Sequence, residues 1–284
     1  MPIKTILVLL DTEAQTLSVT KAAIAVAKLF SAHLIGLHVV PNAFMPASMA
    51  YEATGELIEA QRQAYQADAK QIGATFNKAI TGEGVPVEWR KVEANSEPVA
   101  SVVMRHGREA DLMILAQPDR SMTLIDGIAM TEQVMLGLGR PVYVVPTSSV
   151  ASTVGKRVLL AWNASRESAR AAFDAMPFLL QAESVRILAA EPASQGGWLG
   201  ADEAAAPTSG IATTMERHGV RCSVAKATAS GADVAAEILA QAKEHGCDLI
   251  VMGGYGHWRI REIVFGGATR SMLDQTTIPI LMSH

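Results

Sequence analysis

The sequence predicts an α/β protein built from two tandem doubly wound parallel-sheet domains. Three observations carry that expectation. Near-continuous apolar runs alternate with Ala-rich helical patterns, as buried parallel strands and their crossover helices do. The second half of the chain repeats the layout of the first. Hydrophobic residues make up 49% of the 284 residues and aromatics only 5%, a composition suited to aliphatic helices packed on a sheet.

The elements follow in order. "IKTILVLLD" is an apolar strand ending at Asp11, and "GKRVLLAWN" is its counterpart ending at Asn163. Each leads through a polar turn into an Ala-rich helix and then a second strand, closed by Pro41 in one half and Pro192 in the other. The middles differ. Residues 51 to 80 read as a long amphipathic helix, whereas "ASQGGWLGADEAAAPTSG", with Trp198, reads as a loop before a shorter helix. "GVPVEWRKVE" and "GVRCSVAKATA" are alternating strands. Helices follow, with start signals in Ser96 and Pro98 and in the capping-box pair Ser230 and Asp233. "DLMILA" and "DLIVMG" are buried strands, and "RPVYVVP" and "IPILMSH" end the halves. Right-handed crossovers make each sheet doubly wound. The Ser/Thr-rich "PTSSVASTVGKR" reads as a linker. The expected domains are residues 1–148 and 155–284.

Bulk properties exclude several classes. A net charge of −4 without long charge blocks provides no electrostatic basis for nucleic-acid binding. Cys222 and Cys247 match no zinc or redox spacing. His218 and Cys222 are placed to share a helix face but lack further ligands, so no metal site is expected. The first strand is too short for a signal peptide, and no apolar run approaches the ~18 residues of a membrane span. A cytoplasmic protein is expected.

The strongest chemical signal is "GGYGHWRIREIVFGG", residues 253 to 267. Gly253 ends an apolar strand, where ligands of open α/β sheets sit. Gly256 follows, then Gly266 and Gly267 before a helix start, with Thr269 and Ser271 as hydroxyl donors. Glycine lets backbone N–H groups approach an anion, and a helix N-terminus adds more of them. The same glycines serve equally as turn residues. Rival motifs fail: Arg157 stands where a Walker A sequence needs Ser or Thr, and Arg259 where GxGxxG needs its third glycine. No catalytic triad, paired carboxylates or metal cluster is recognisable, and His257 and Glu262 read as solvent-facing charges.

Gly253-x2-Gly256-x9-Gly266 resembles the G-x2-G-x9-G-(S/T) signature of universal stress proteins, and the duplicated layout resembles their tandem form. The resemblance implies a Rossmann-like, adenine nucleotide alpha hydrolase-like fold and ATP as ligand, with ADP, AMP or no nucleotide as alternatives and Mg accompanying ATP. It also implies the site. Ala161 lines the base and Asn163 meets the nucleoside. Ala190 offers backbone contacts to adenine. Gly253, Gly256, Gly266, Gly267, Ala268 and Thr269 cradle the phosphates. Two positions depart from the family: Asn163 replaces an Asp, and Gly267 replaces a Ser or Thr.

In the first half Asp11 is retained, but Asp119 stands at the place of Gly256, and Ile128 and Ala129 replace the later glycines. A carboxylate there repels phosphate, so the first half is expected not to bind ATP. The resemblance implies dimerisation through terminal strands, met within one chain by residues 141 to 146 and 278 to 283 as a pseudo-dimer, or again between chains as a homodimer. At most slow ATP hydrolysis is expected. The alternative is a scaffold with both sites degenerate, contacting a partner through the 51–80 helix or the loop around Trp198.

Overall fold

The computed structural model describes residues 2–43, 55–118, 127–148, 153–192, 208–229, 234–254 and 267–284. The first repeat runs β1 (Thr5–Leu9), α1 (Glu13–Phe30), β2 (His33–Val40), α2 (Gly55–Ile80), β3 (Val87–Glu93), α3 (Val99–Gly107), β4 (Leu112–Ala116), α4 (Gly127–Gly137) and β5 (Val142–Val145). The second runs β6 (Arg157–Ala161), α5 (Arg166–Asp174), α6 (Met176–Gln181), β7 (Ser184–Pro192), α7 (Thr208–Arg217), β8 (Cys222–Ala229), α8 (Val234–Glu244), β9 (Leu249–Gly253), α9 (Gly267–Gln275) and β10 (Ile280–Ser283). The predicted alternation of strands and helices is present throughout the described residues.

Two compact units arise from these elements. One spans Lys4–Ala116, and the other contains Gln117–His284. In the first unit the strands lie in the order β3-β2-β1-β4, all parallel. The second has the order β5-β10-β9-β6-β7-β8, parallel except for β5, which runs antiparallel to β10 with Tyr143 opposite Leu281. Compactness thus divides the chain before the Ser/Thr-rich stretch, because β5 belongs by sequence to the first repeat but pairs with the last strand of the second.

Strands that read as continuous apolar runs are buried on both faces. Ile6, Leu7, Val8 and Leu9 of β1 and Leu249, Ile250 and Val251 of β9 are all 5% exposed or less. Each such side chain stabilises by about 1.5–3 kcal/mol on burial. Close packing explains two glycines in the first unit. A Cβ on Gly36 would lie 2.5 Å from the buried Phe76 ring, and one on Gly73 would lie 3.2 Å from Trp89. Phe76 and Trp89 pack with centroids 5.4 Å apart, so α2 is keyed onto β2 and β3 by these rings.

One element differs from expectation. The Ala-rich helix expected after the first strand of the second half is two, α5 and α6, meeting at Ala175 with Pro177 near the start of the second. Proline lacks an N–H and its ring crowds the preceding turn, so the helix restarts there. The start signal at Ser96 and Pro98 places α3 at Val99, with Pro98 as a cap that makes no side-chain bond. The Ser230–Asp233 pair and Trp198 lie outside the described residues.

Candidate functional site

In the second unit the strand order reverses direction between β6 and β9, and open α/β sheets bind ligands at the carboxyl ends of such strands. The register brings several expected site residues to that edge. Ala161, half-buried, ends β6 opposite Leu188 of β7. The Trp162 N–H donates to the Leu188 carbonyl at 2.8 Å, and there the β6–β7 ladder stops. Ala190 lies past that stop and still pairs with Ala227 of β8. Its β6-facing backbone edge is therefore beyond the ladder.

Asn163 is exposed, and its Oδ1 accepts the Ser165 N–H at 3.1 Å. Ala164 between them takes φ 56°, the left-handed region. Ser165 caps α5, its Oγ accepting the Ser168 N–H at 3.1 Å. Asn163 thus shapes the turn into the helix. A carbonyl oxygen has two lone pairs, so one acceptor position remains for a ligand hydroxyl.

Gly253 has a packing role that sequence spacing did not reveal. A Cβ there would sit 2.6 Å from the Glu167 carbonyl carbon and 2.6 Å from the Ser168 nitrogen. The first turn of α5 lies directly on the end of β9, and only glycine fits. Gly254 is covered by Met135 of α4, whose Cε would be 3.0 Å from a Cβ, and its N–H donates to Ser283 O at 2.9 Å. Gly267, Ala268 and Thr269 form the first turn of α9, with Ala268 exposed and Thr269 buried. Gly256, Gly266, His257 and Glu262 lie outside the described residues, as does Asp119.

Glu167 is a charged group at this edge that the sequence reading did not single out. Its side chain is only 8% exposed, and Arg166 reaches its Oε1 with Nη2 at 2.8 Å. Burial pushes its carboxyl up. Its own backbone N–H, the Arg166 guanidinium and the charge of His284 outweigh that and hold it below the usual carboxylate range. His284 Nδ1 lies 3.1 Å from the Gly254 carbonyl.

At the corresponding edge of the first unit, Asp11 follows β1. It is solvent-exposed by area yet hemmed in by surrounding protein, which raises its carboxyl, while nearby His38 opposes part of the shift. His38 is buried and its Nδ1 contacts the Leu10 carbonyl at 2.7 Å. In the unit beginning at Gln117, that residue stands at the place of Gly254 in the repeat. Its Nε2 donates to Leu273 O at 2.7 Å, and its Oε1 accepts the Thr147 N–H at 2.9 Å. A side chain bonded to a strand end and a helix end thus occupies the position that Gly254, packed under Met135, holds in the second repeat.

The pairing of His218 with Cys222 on one helix face does not occur. His218 follows α7 and packs edge-on to Phe173, while Cys222 opens β8. Among the described residues no cluster of three or more His, Cys, Asp or Glu is arranged to hold a metal. No helix among them is long and apolar enough to cross a membrane.

The universal stress protein family profile matches this chain twice, over residues 2–146 and 155–284. Among solved structures, a universal stress protein from Archaeoglobus fulgidus DSM 4304 is 15% identical, with a TM-score of 0.68 over 98% of this chain and 95% of its own. A putative universal stress protein from Pseudomonas aeruginosa UCBPP-PA14 is also 15% identical, with a TM-score of 0.58 over 99% and 93%. No curated protein matches the chain significantly.

Proposed function

The chain belongs to the universal stress protein family, and from that premise we propose that its second repeat, residues 155–284, binds an adenine nucleotide, ATP first, with Mg. The observation that carries this reading is the Ala190 edge. It lies past the end of the β6–β7 ladder, at the strand ends from which the glycine run departs. The base docks on that backbone, the ribose takes the remaining Asn163 acceptor, and the run from Gly253 to Thr269 holds the phosphates. A nucleotide supplies negative charge that backbone N–H groups at a helix start accommodate. The protein acts as a cytoplasmic stress-response module rather than a catalyst.

The first repeat, residues 1–148, serves as a structural partner. Its terminal strand pairs with that of the second in the manner of a dimer within one chain.

A second reading has a specific observation in its favour. Packing against α5 accounts for Gly253, and the turn into α5 accounts for Asn163, with no ligand needed. The chain is then a scaffold. Calorimetric titration with ATP, with and without magnesium, separates the two. Submillimolar binding lost in Gly256→Asp, a change that copies Asp119 of the first repeat, supports the nucleotide reading. Absence of binding to the unaltered protein supports the scaffold.

A further inference from the structure

Arg166 opens α5, three residues beyond Asn163. A cation in the first turn of a helix opposes the positive end of the helix dipole, so α5 gains no stability from it. Glu167 holds the guanidinium nonetheless: Nε and Nη2 of Arg166 both reach its Oε1, at 3.0 and 2.8 Å. The Arg166 side chain is 79% exposed, against 8% for Glu167. The Glu167 Cβ would in turn be 2.8 Å from a Cβ on Gly253, and its carboxylate feels the charge of His284, which is bonded to Gly254. A guanidinium with free N–H groups is therefore tethered at the strand end where the glycine run begins.

The first repeat has nothing comparable. Ala14 holds the place of Arg166, Gln15 that of Glu167, and Glu13 makes the start of α1 acidic. By sequence, Asp119 stands where the second repeat has Gly256. Arg166 offsets the charge of Glu167 in the first turn of α5, whereas Glu13–Thr16 of α1 contain no cation, so the second repeat is the more favourable to an anion.

We infer that Arg166, steadied by Glu167, is a phosphate-binding residue that sets the preference for nucleotides over nucleosides. This rests on the nucleotide reading of the second repeat. Arginine offers paired N–H donors matched to phosphate oxygens, and charge-assisted bonds of this kind are stronger than neutral ones.

The test is calorimetric titration of the full chain with ATP and, separately, with adenosine. Arg166→Ala should weaken ATP binding about tenfold while leaving adenosine binding unchanged. Arg166→Lys should fall between the two, since it keeps the charge but not the fork. Equal losses for ATP and adenosine in Arg166→Ala would mean that Arg166 only supports the fold, and no loss for either would mean that it touches no ligand. Both outcomes overturn the inference while leaving the nucleotide reading intact. An unaltered protein that binds neither ligand overturns the nucleotide reading and, with it, this inference.

Discussion

A methyl group on Gly253 would meet the α5 backbone at 2.6 Å, and backbone cannot swing aside as a side-chain end can. Gly253→Ala should therefore lower stability by about 1–3 kcal/mol in urea denaturation, the usual range for overpacking. Glu167 and Asp11 behave oppositely with pH. Glu167 is held low in the folded state, so its contribution is present above the ordinary carboxyl value of 4.5 and is lost as pH falls through the lower folded value. Glu167→Gln should lower the melting temperature by a few degrees at neutral pH, with the difference vanishing in acid. Asp11 is raised by burial, so its ionisation weakens the fold as pH rises through the raised value. Asp11→Asn, which copies Asn163, should raise the melting temperature at neutral pH and leave it unchanged in strong acid. Of these residues, Asp11 and Gly253 stood out in the sequence by their repeat positions. The Arg166–Glu167 pair was not, because a charge at a helix start reads as an ordinary exposed residue until its partners are placed around it.

At the scale of elements, periodicity identified the strands and most helices, since burial on one or both faces writes itself into neighbouring residues. The break between α5 and α6 was missed, although Pro177 was in plain view, because an Ala-rich run reads as one helix until the restart at Ala175 is seen. Gln117 marks the limit of such reading. Its amide bonds Leu273 O near the end of α9 and the Thr147 N–H after β5, residues separated from it by 156 and 30 positions. Gln117→Ala would leave a buried carbonyl and a backbone N–H without partners. A loss of about 2–3 kcal/mol is expected, measured by chemical denaturation. The aspartates that open "DLMI" and "DLIV" have a similar unannounced role. Asp111 accepts the Lys4 and Thr5 N–H groups, and Asp248 those of Lys156 and Arg157, so each repeat ties its fourth strand to its first.

Across the whole molecule, duplication explains the layout, and the pairing of β5 with β10 ties the terminal strands of the two repeats together. A fragment of residues 1–148 keeps β5 but loses β10. An unpaired apolar edge seeks another strand, so this fragment should sediment as a dimer at micromolar concentration while the full chain does not assemble through that edge. A monomeric, folded fragment would show that β5 needs no partner. The sequence by itself determined the α/β class, the repeat and the glycine run, because strand burial, helical periodicity and glycine spacing are properties of neighbouring residues. Only the tertiary structure decided that Gly253 is shaped by α5, that Gln117 reaches Leu273 and Thr147 from the place of Gly254, and that Glu167 holds Arg166 at the strand end. Each of those depends on which distant backbone or side chain arrives within a few ångströms, and local pattern carries no record of that.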